Sequence, residues 1–142
     1  SPSPISVFEA WTGCTPRVSD SKTCDVTMSG NQHVTATFKL SPKAKIASNY
    51  FESLNAAYSS VVSSAEIRLL DTDLFEGLTI NNKDLVLKGG YTTDFETSSG
   101  SMTVLNGDLS ILGGNSTVEN IDVKGIVTIQ GGSLQVNGVT IK

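Results

Sequence analysis

Apolar and polar positions alternate in short bursts over the last third of the chain, and the bursts return at a fixed distance. Leu109-Ser110-Ile111-Leu112-Gly113-Gly114 comes back eighteen residues on as Val127-Thr128-Ile129-Gln130-Gly131-Gly132. At the same offset Val118 maps to Val136, Ile121 to Val139, Val123 to Ile141 and Lys124 to Lys142. A weaker copy, Leu85-Val86-Leu87-Lys88-Gly89-Gly90, begins 24 residues before Leu109. Short runs that return after one rung's length, punctuated by paired glycines, predict a chain coiled into stacked strands, a small parallel β-solenoid. About four rungs fit between residues 65 and 142. Each turns roughly four to six Val, Ile or Leu side chains inward, worth roughly 1.5–3 kcal/mol apiece on full burial before entropy is subtracted.

Upstream the pattern changes twice. Residues 1–40 read as a small β module of short strands. Ile5-Ser6-Val7-Phe8 leads to Trp11, then come Val26-Thr27-Met28 and Val34-Thr35-Ala36-Thr37-Phe38. In the last run Val34, Ala36 and Phe38 alternate with threonines, the period of a half-buried strand. Ser29-Gly30-Asn31 is placed to turn a hairpin between the final two strands. Residues 41–64 instead carry a helical spacing. Ile46, Tyr50, Leu54, Ala57, Tyr58 and Val61 share one face, behind Ser41 as N-cap and Pro42 at the first helical position. Such an amphipathic helix would cover the exposed edge and open core of the first rung. Beyond it, Ile67 and Leu69, Leu78-Thr79-Ile80 and Leu85-Val86-Leu87 read as strands. Asn81-Asn82-Lys83-Asp84 and Gly89-Gly90 supply turns that tolerate positive φ, and a polar insertion runs from Tyr91 to Ser101.

Two resemblances accompany this reading. Phe8-Glu9-Ala10-Trp11-Thr12-Gly13-Cys14, then Cys24-Asp25-Val26-Thr27-Met28, then Val34-Thr35-Ala36-Thr37-Phe38 resembles the F.GW.G.C, C.VTM, VTATF pattern of the internalin-type B repeat. That repeat is a small β-rich, ubiquitin-like or grasp-like module of bacterial surface proteins, and the likeness covers residues 7–38. It implies a core role for Trp11. It also implies a truncated module, since such repeats carry further strands upstream; one side of the sheet would be unpaired or completed by another chain. The second likeness covers about 65–142. GLTINNKDLVLKGGYTTDF, from Gly77 to Phe95, followed by NGDLSILGGNSTVENIDVKG, is similar to right-handed parallel β-helix segments of secreted and surface-anchored bacterial proteins. The expected fold class is therefore mainly β: a truncated β module, one amphipathic helix, then a short right-handed parallel β-helix.

Charge and cysteine usage narrow the function. The formal net charge is −4 and the pI near 4.8, against nucleic acid or an anionic membrane as partner. No run approaches the roughly 18 apolar residues needed to span a bilayer. Ser1-Pro2-Ser3-Pro4, with no initiator Met, is expected of a processed or excised chain. Cys14 and Cys24 are the only cysteines, with no CxxC pair or His/Cys cluster to suggest zinc or redox catalysis. A disulfide between them is the expectation and free thiols the alternative; the disulfide implies an oxidising compartment, extracellular or at the cell surface.

Candidate chemistry is sparse. Asp71, Asp73 and Glu76 are the one acidic cluster, conceivable as a calcium site or a glycosidic carboxylate pair. Their spacing fits neither an EF-hand nor the glycine-rich calcium repeat, and a solvated turn is the favoured reading. His33 reads as a surface histidine, and Asn115-Ser116-Thr117 as a rung corner that matches the glycosylation pattern. No catalytic set and no cofactor are expected. Two places stand out. Val139, Thr140, Ile141 and Lys142 form a strand in mid-pattern with no cap after it, an edge for assembly with other protein subunits, either copies of itself or a filament partner. Tyr91, Thr92, Thr93, Asp94, Phe95 and Glu96 head the polar insertion, a candidate loop for recognising a glycan or a protein. The leading expectation is a non-enzymatic structural module of a bacterial surface protein, such as a fibre or pilus-associated subunit. An adhesin-type binding module is second, and a partial polysaccharide lyase third.

Overall fold

The computed structural model describes residues 6–142, so Ile5 at the head of the first expected strand lies outside them. The fold is mainly β and divides into two units, Ser1–Ser41 and Pro42–Lys142.

In the first unit, β1 (Ser6–Thr12) runs antiparallel to β4 (Thr35–Leu40), Phe8 opposite Phe38 and Trp11 opposite Ala36, with a register shift at Glu9. Phe8 gathers the other two rings, its centroid lying 5.4 Å from Trp11 and 5.9 Å from Phe38. Between them β2 (Thr15–Pro16) pairs with β3 (Cys24–Asp25), and the Cys14–Cys24 disulfide closes the loop. The guanidinium of Arg17 donates to Asp25 across the same ladder at 2.7 and 2.9 Å. Val26-Thr27-Met28 is not a strand, and no hairpin forms through Ser29-Gly30-Asn31. The Cys14–Cys24 disulfide and the pairing of β2 with β3 hold the start of that run at β2, and β4 pairs with β1 instead. Gly13 turns the chain out of β1 at φ +82°, and a Cβ there would sit 2.0 Å from the His33 carbonyl oxygen, so only glycine fits.

The second unit opens with a hairpin where a helix is expected. β5 (Ala44–Ile46) and β6 (Asn49–Phe51) pair antiparallel around Ala47, and the only helix among the described residues, α1, spans Leu54–Ser60. The four-residue spacing of Ile46 and Tyr50 mimics a helical face, but it arises from two strands folded back on one another. The true N-cap is Ser53, whose hydroxyl accepts from the Ala56 N–H at 3.0 Å. The hairpin adds to the sheet, Ala44 opposite Leu69 and Lys45 opposite Arg68, while α1 buries Leu54 and Ala57 against the core.

The remaining strands are β7 (Ser64–Leu70), β8 (Asp73–Leu74), β9 (Leu78–Ile80), β10 (Asp84–Tyr91), β11 (Thr103–Leu105), β12 (Leu109–Ile111), β13 (Asn115–Glu119), β14 (Ile121–Val123), β15 (Val127–Ile129), β16 (Ser133–Asn137) and β17 (Thr140–Ile141). They distribute in rotation over three sheets, ordered β16-β13-β10-β7-β5-β6, β17-β14-β11-β8 and β15-β12-β9. From β7 onward every pairing is parallel, and only the hairpin makes the first sheet mixed. The eighteen-residue offset is the pairing register: Leu109 opposes Val127, Val118 opposes Val136 and Val123 opposes Ile141. The 24-residue offset is not. Leu109 lies opposite Leu78, whereas Leu85 belongs to another sheet and faces Ser116, because the 91–101 insertion lengthens that passage.

Alternate residues of each strand point inward, and the three sheets supply the core together. Ile67, Leu69, Leu85, Leu87 and Val118 come from the first sheet. Leu74, Leu105, Ile121 and Val123 come from the second, and Leu78, Ile80, Leu109 and Ile111 from the third, all at most 2 % exposed. At the corners Asn82 and Gly90 take positive φ, as their turn chemistry anticipates. Gly114 (φ +85°) lets successive corners touch: a Cβ there would come within 2.1 Å of the Lys83 carbonyl oxygen. Among the described residues no helix is long and apolar enough to cross a membrane.

One buried polar group tests this packing. The Thr103 hydroxyl donates to the Leu70 carbonyl at 2.7 Å and accepts from the Gly90 N–H at 2.9 Å. Thr103→Val keeps the shape but leaves the Gly90 N–H without its acceptor and takes from the Leu70 carbonyl one of two donors, the other being the Thr72 N–H at 2.8 Å, so chemical denaturation should show a loss of about 1–3 kcal/mol. In the first unit, Cys14→Ser should cost about 2–3 kcal/mol by releasing the closed loop. Fluorescence of Trp11, the single tryptophan, reads that loss in its own unit.

Candidate functional site

The Tyr91–Ser101 insertion is built around one carboxylate. Asp94 Oδ1 accepts from the N–H groups of Glu96 and Thr97 and from the Thr92 hydroxyl, each at 2.8 Å, and Oδ2 accepts from the Thr97 hydroxyl at 2.7 Å. These bonds, led by the Thr97 N–H, hold the Asp94 carboxyl well below the usual carboxylate range. The turn they make forces Phe95 to φ +57° and drives its ring fully into the interior, edge-on to Tyr50 at 5.9 Å. Phe95 is thus an anchor and not a contact residue. Tyr91 continues β10 opposite Leu70, with its ring 5.5 Å from the Arg68 guanidinium. Thr92 is half-buried in the turn, leaving Thr93, Asp94 and Glu96 exposed.

A cleft of about 430 Å³ lies beside the loop, lined by Ile46, Ala47, Glu66, Arg68 and Glu96. Its charges are paired. Glu66 accepts from Arg68 at 2.9 Å and from Lys88 at 2.8 Å, while Glu96 accepts from Lys45 at 2.6 Å and from Arg68, which also donates to the Phe95 carbonyl at 3.0 Å. Lys88 is the largest influence lowering Glu66, and Lys45 the largest lowering Glu96; Lys45, Lys88 and Arg68 are held above their ordinary values in return. Lys45, Glu66, Arg68 and Lys88 are not singled out by the sequence. Two-residue periodicity puts Glu66 and Arg68 on one outward face, but Lys88 and Lys45 join them only through the pairing of three strands.

The acidic cluster is likewise dispersed. Glu76 turns to the start of α1, accepting from the Leu54 and Asn55 N–H groups at 2.9 Å each and from the Asn55 side chain at 2.6 Å. Asp71 and Asp73 stay exposed at a turn, and no group of three or more His, Cys, Asp or Glu that could hold a metal gathers among the described residues. His33 is exposed, 3.4 Å from the Thr35 hydroxyl. Asn115 is engaged at a corner, where its amide donates to Asp84 and its oxygen accepts from Ser133.

The last strands have the opposite character. β15, β16 and β17 each terminate a sheet. Thr140 and Ile141 pair with Asp122 and Val123, and the Lys142 N–H donates to the Val123 carbonyl at 3.2 Å, while Val139 is half-buried against the core. Ile129, Val136 and Ile141 stand 52–54 % exposed, although their register partners Ile111, Val118 and Val123 are buried to 1 % or less. From Gly125 to Ile141 there is no charged residue, whereas the preceding stretch carries Asp108, Glu119, Asp122 and Lys124. β15, β16 and β17 therefore lack the charges that ordinarily guard a sheet edge. No family model, curated protein or solved structure matches the chain.

The loop predicts a pH response. A carboxyl depressed in the folded state adds stability above its ordinary pKa, 3.8 for Asp94, and that stability is lost as pH falls through the folded value. Asp94→Asn should therefore lower the thermal midpoint at neutral pH and flatten its decline below about pH 4. Melting curves across that range are the measurement; a variant curve parallel to the wild type would contradict the assignment.

Proposed function

We propose that this protein is a non-enzymatic structural module of an extracellular or cell-surface protein, and that it works by joining neighbouring protein subunits. In this reading residues 65–142 are a short right-handed parallel β-solenoid, and β15–β17 are the strands through which it meets its neighbours. The observation that carries it is the absence of any charged residue from Gly125 to Ile141, through β15, β16 and β17, where the passage before them carries four. Three parallel sheets advancing together at an eighteen-residue offset support the solenoid. The Cys14–Cys24 disulfide supports an oxidising compartment, and the likeness of residues 7–38 to internalin-type B repeats supports a bacterial surface.

Magnitudes say what kind of contact this is. Three half-exposed aliphatic side chains offer roughly 3 kcal/mol on full burial, less than the roughly 4–15 kcal/mol that association costs in lost freedom. Apolar touching alone does not hold two subunits. The backbone edges of β15, β16 and β17 must pair as well, so the contact is the addition of β strands. Recognition through the insertion is the second reading, resting on exposed Thr93 and Glu96; it is the weaker one, since Phe95 is buried and the Asp94 oxygens already accept four hydrogen bonds.

Val136→Asp should abolish assembly while leaving circular dichroism unchanged, because the side chain is already half in water. Size exclusion and electron microscopy over a concentration series measure it. A wild-type particle that stays monomeric at every concentration, with rapid hydrogen exchange along β17, would defeat the proposal.

A further inference from the structure

Every second residue of β7, β10 and β13 faces outward, and the parallel register sets those residues in rows across the first sheet. Glu66 lies opposite Val86, and Val86 opposite Thr117. Arg68 lies opposite Lys88 on one side of that row. On the other side Ser64 lies opposite Asp84, whose Oδ1 accepts from the Asn115 N–H at 2.7 Å and from its side-chain amide at 3.2 Å. A hollow of about 460 Å³ follows the middle row, with Glu66, Val86 and Thr117 along it and Ser64, Asp84 and Asn115 at its margin. It meets the cleft of about 430 Å³ beside the insertion at Glu66, which lines both. Together they cross from β5 to β13, a span of three strand spacings or about 14 Å.

The chemistry of this trough selects its occupant. Its carboxylates are Glu66, Asp84 and Glu96, and its cations are Arg68 with the ion-pair partners Lys45 and Lys88, so the charges balance. A charged ligand finds no net field there and would have to break existing pairs. An extended peptide cannot add as a strand, because β7, β10 and β13 each have a neighbouring strand on both sides. The groups left to bind are polar ones in fixed places. Arg68 uses Nε and Nη1, and among the described residues its Nη2, the Asp84 Oδ2 and the Thr117 hydroxyl have no partner. Half-buried Val86 gives an apolar floor between them. An uncharged molecule with hydroxyls round its rim and C–H groups on its faces matches that surface, since a hydroxyl both donates to a carboxylate and accepts from a guanidinium. The ion pairs hold these groups in place before the ligand arrives, so little ordering is left to weaken binding.

We infer that this trough binds a short, uncharged oligosaccharide, with a sugar ring over Val86 and its hydroxyls on Glu66, Arg68, Asp84 and Thr117. The site is the face of the sheet, to which the insertion contributes Glu96, and not the exposed tip at Thr93. It is independent of the assembly reading above, which concerns β15–β17.

Amide shifts of the isotope-labelled full chain, titrated with short oligomers of glucose, mannose and N-acetylglucosamine and with an oligogalacturonate, test this. At least one neutral oligomer should move the Glu66, Val86 and Thr117 signals, and the acidic one should not. Val86→Phe keeps a strand-forming residue at an outward position and fills the floor, so it should weaken binding at least about tenfold. Thr117→Phe, one strand along, should do the same and serves should the first variant not fold. Thr79→Phe, exposed on β9 in the third sheet, should leave binding unchanged. Silence from every neutral oligomer up to millimolar concentration would overturn the site. So would tighter binding of the oligogalacturonate, or shifts confined to Thr92–Thr97 that survive both blocking variants. None of these outcomes bears on assembly, which particle size reports.

Discussion

The second unit depends on side chains of one kind standing directly on side chains of the same kind. Parallel pairing with no register slip between β12 and β15, or between β13 and β16, places Ile111 beside Ile129 and Val118 beside Val136. A parallel ladder of this type has no tight turn to set its register. Register comes from the inward aliphatic column and from corners where backbone meets backbone, as at Gly114 and Lys83. A one-residue slip would turn a whole strand's apolar set to solvent. Thr103 is tolerated inside because its hydroxyl is used twice, accepting from the Gly90 N–H and donating to the Leu70 carbonyl, which also accepts from the Thr72 N–H.

That constraint also decides what was legible in the sequence. Eighteen residues is one passage through three sheets without insertion, so the repeat and the strands from Leu109 onward could be read directly. Leu85 and Leu109 look alike because both precede a glycine pair, yet Gly113 and Gly114 meet Asn82 and Lys83 whereas Gly89 and Gly90 meet Asn120 and Ser101. Similar corners thus serve different sheets. The hairpin at 44–51 was hidden for another reason. Ile46 and Tyr50 satisfy a helical period by coincidence, and the edge of β7 that selects the strand conformation is distant in sequence.

The charged face illustrates a further limit. Lys45, Glu66, Arg68, Lys88 and Glu96 come from β5, β7, β10 and the insertion, and nothing in their local spacing links them. Their role is to hold the insertion to the sheet. Arg68 bridges Glu66, Glu96 and the Phe95 carbonyl, while Phe95 anchors the turn from beneath. Exposed ion pairs of this kind contribute little stability individually, typically below about 1 kcal/mol. Arranged around a buried ring they fix a loop's position instead. The segment whose composition suggests a recognition loop is therefore fastened to the sheet.

The treatment of the two ends follows from the same physics. A sheet edge offers unsatisfied N–H and C=O groups, and proteins blunt such edges with charge, a bulge or a cover. The first end receives the cover: a hairpin strand on β7 and a helix whose own exposed N–H groups are met by Glu76. Residues 125–141 carry no charge, although the passage before them carries four charged residues. Guarding charges there would cost the fold little, since outward positions such as Thr128 and Gln135 could hold them. Residues 125–141 instead fill such positions with hydroxyl and amide side chains, which both donate and accept, so the contacts open to β15–β17 are those of backbone and neutral groups.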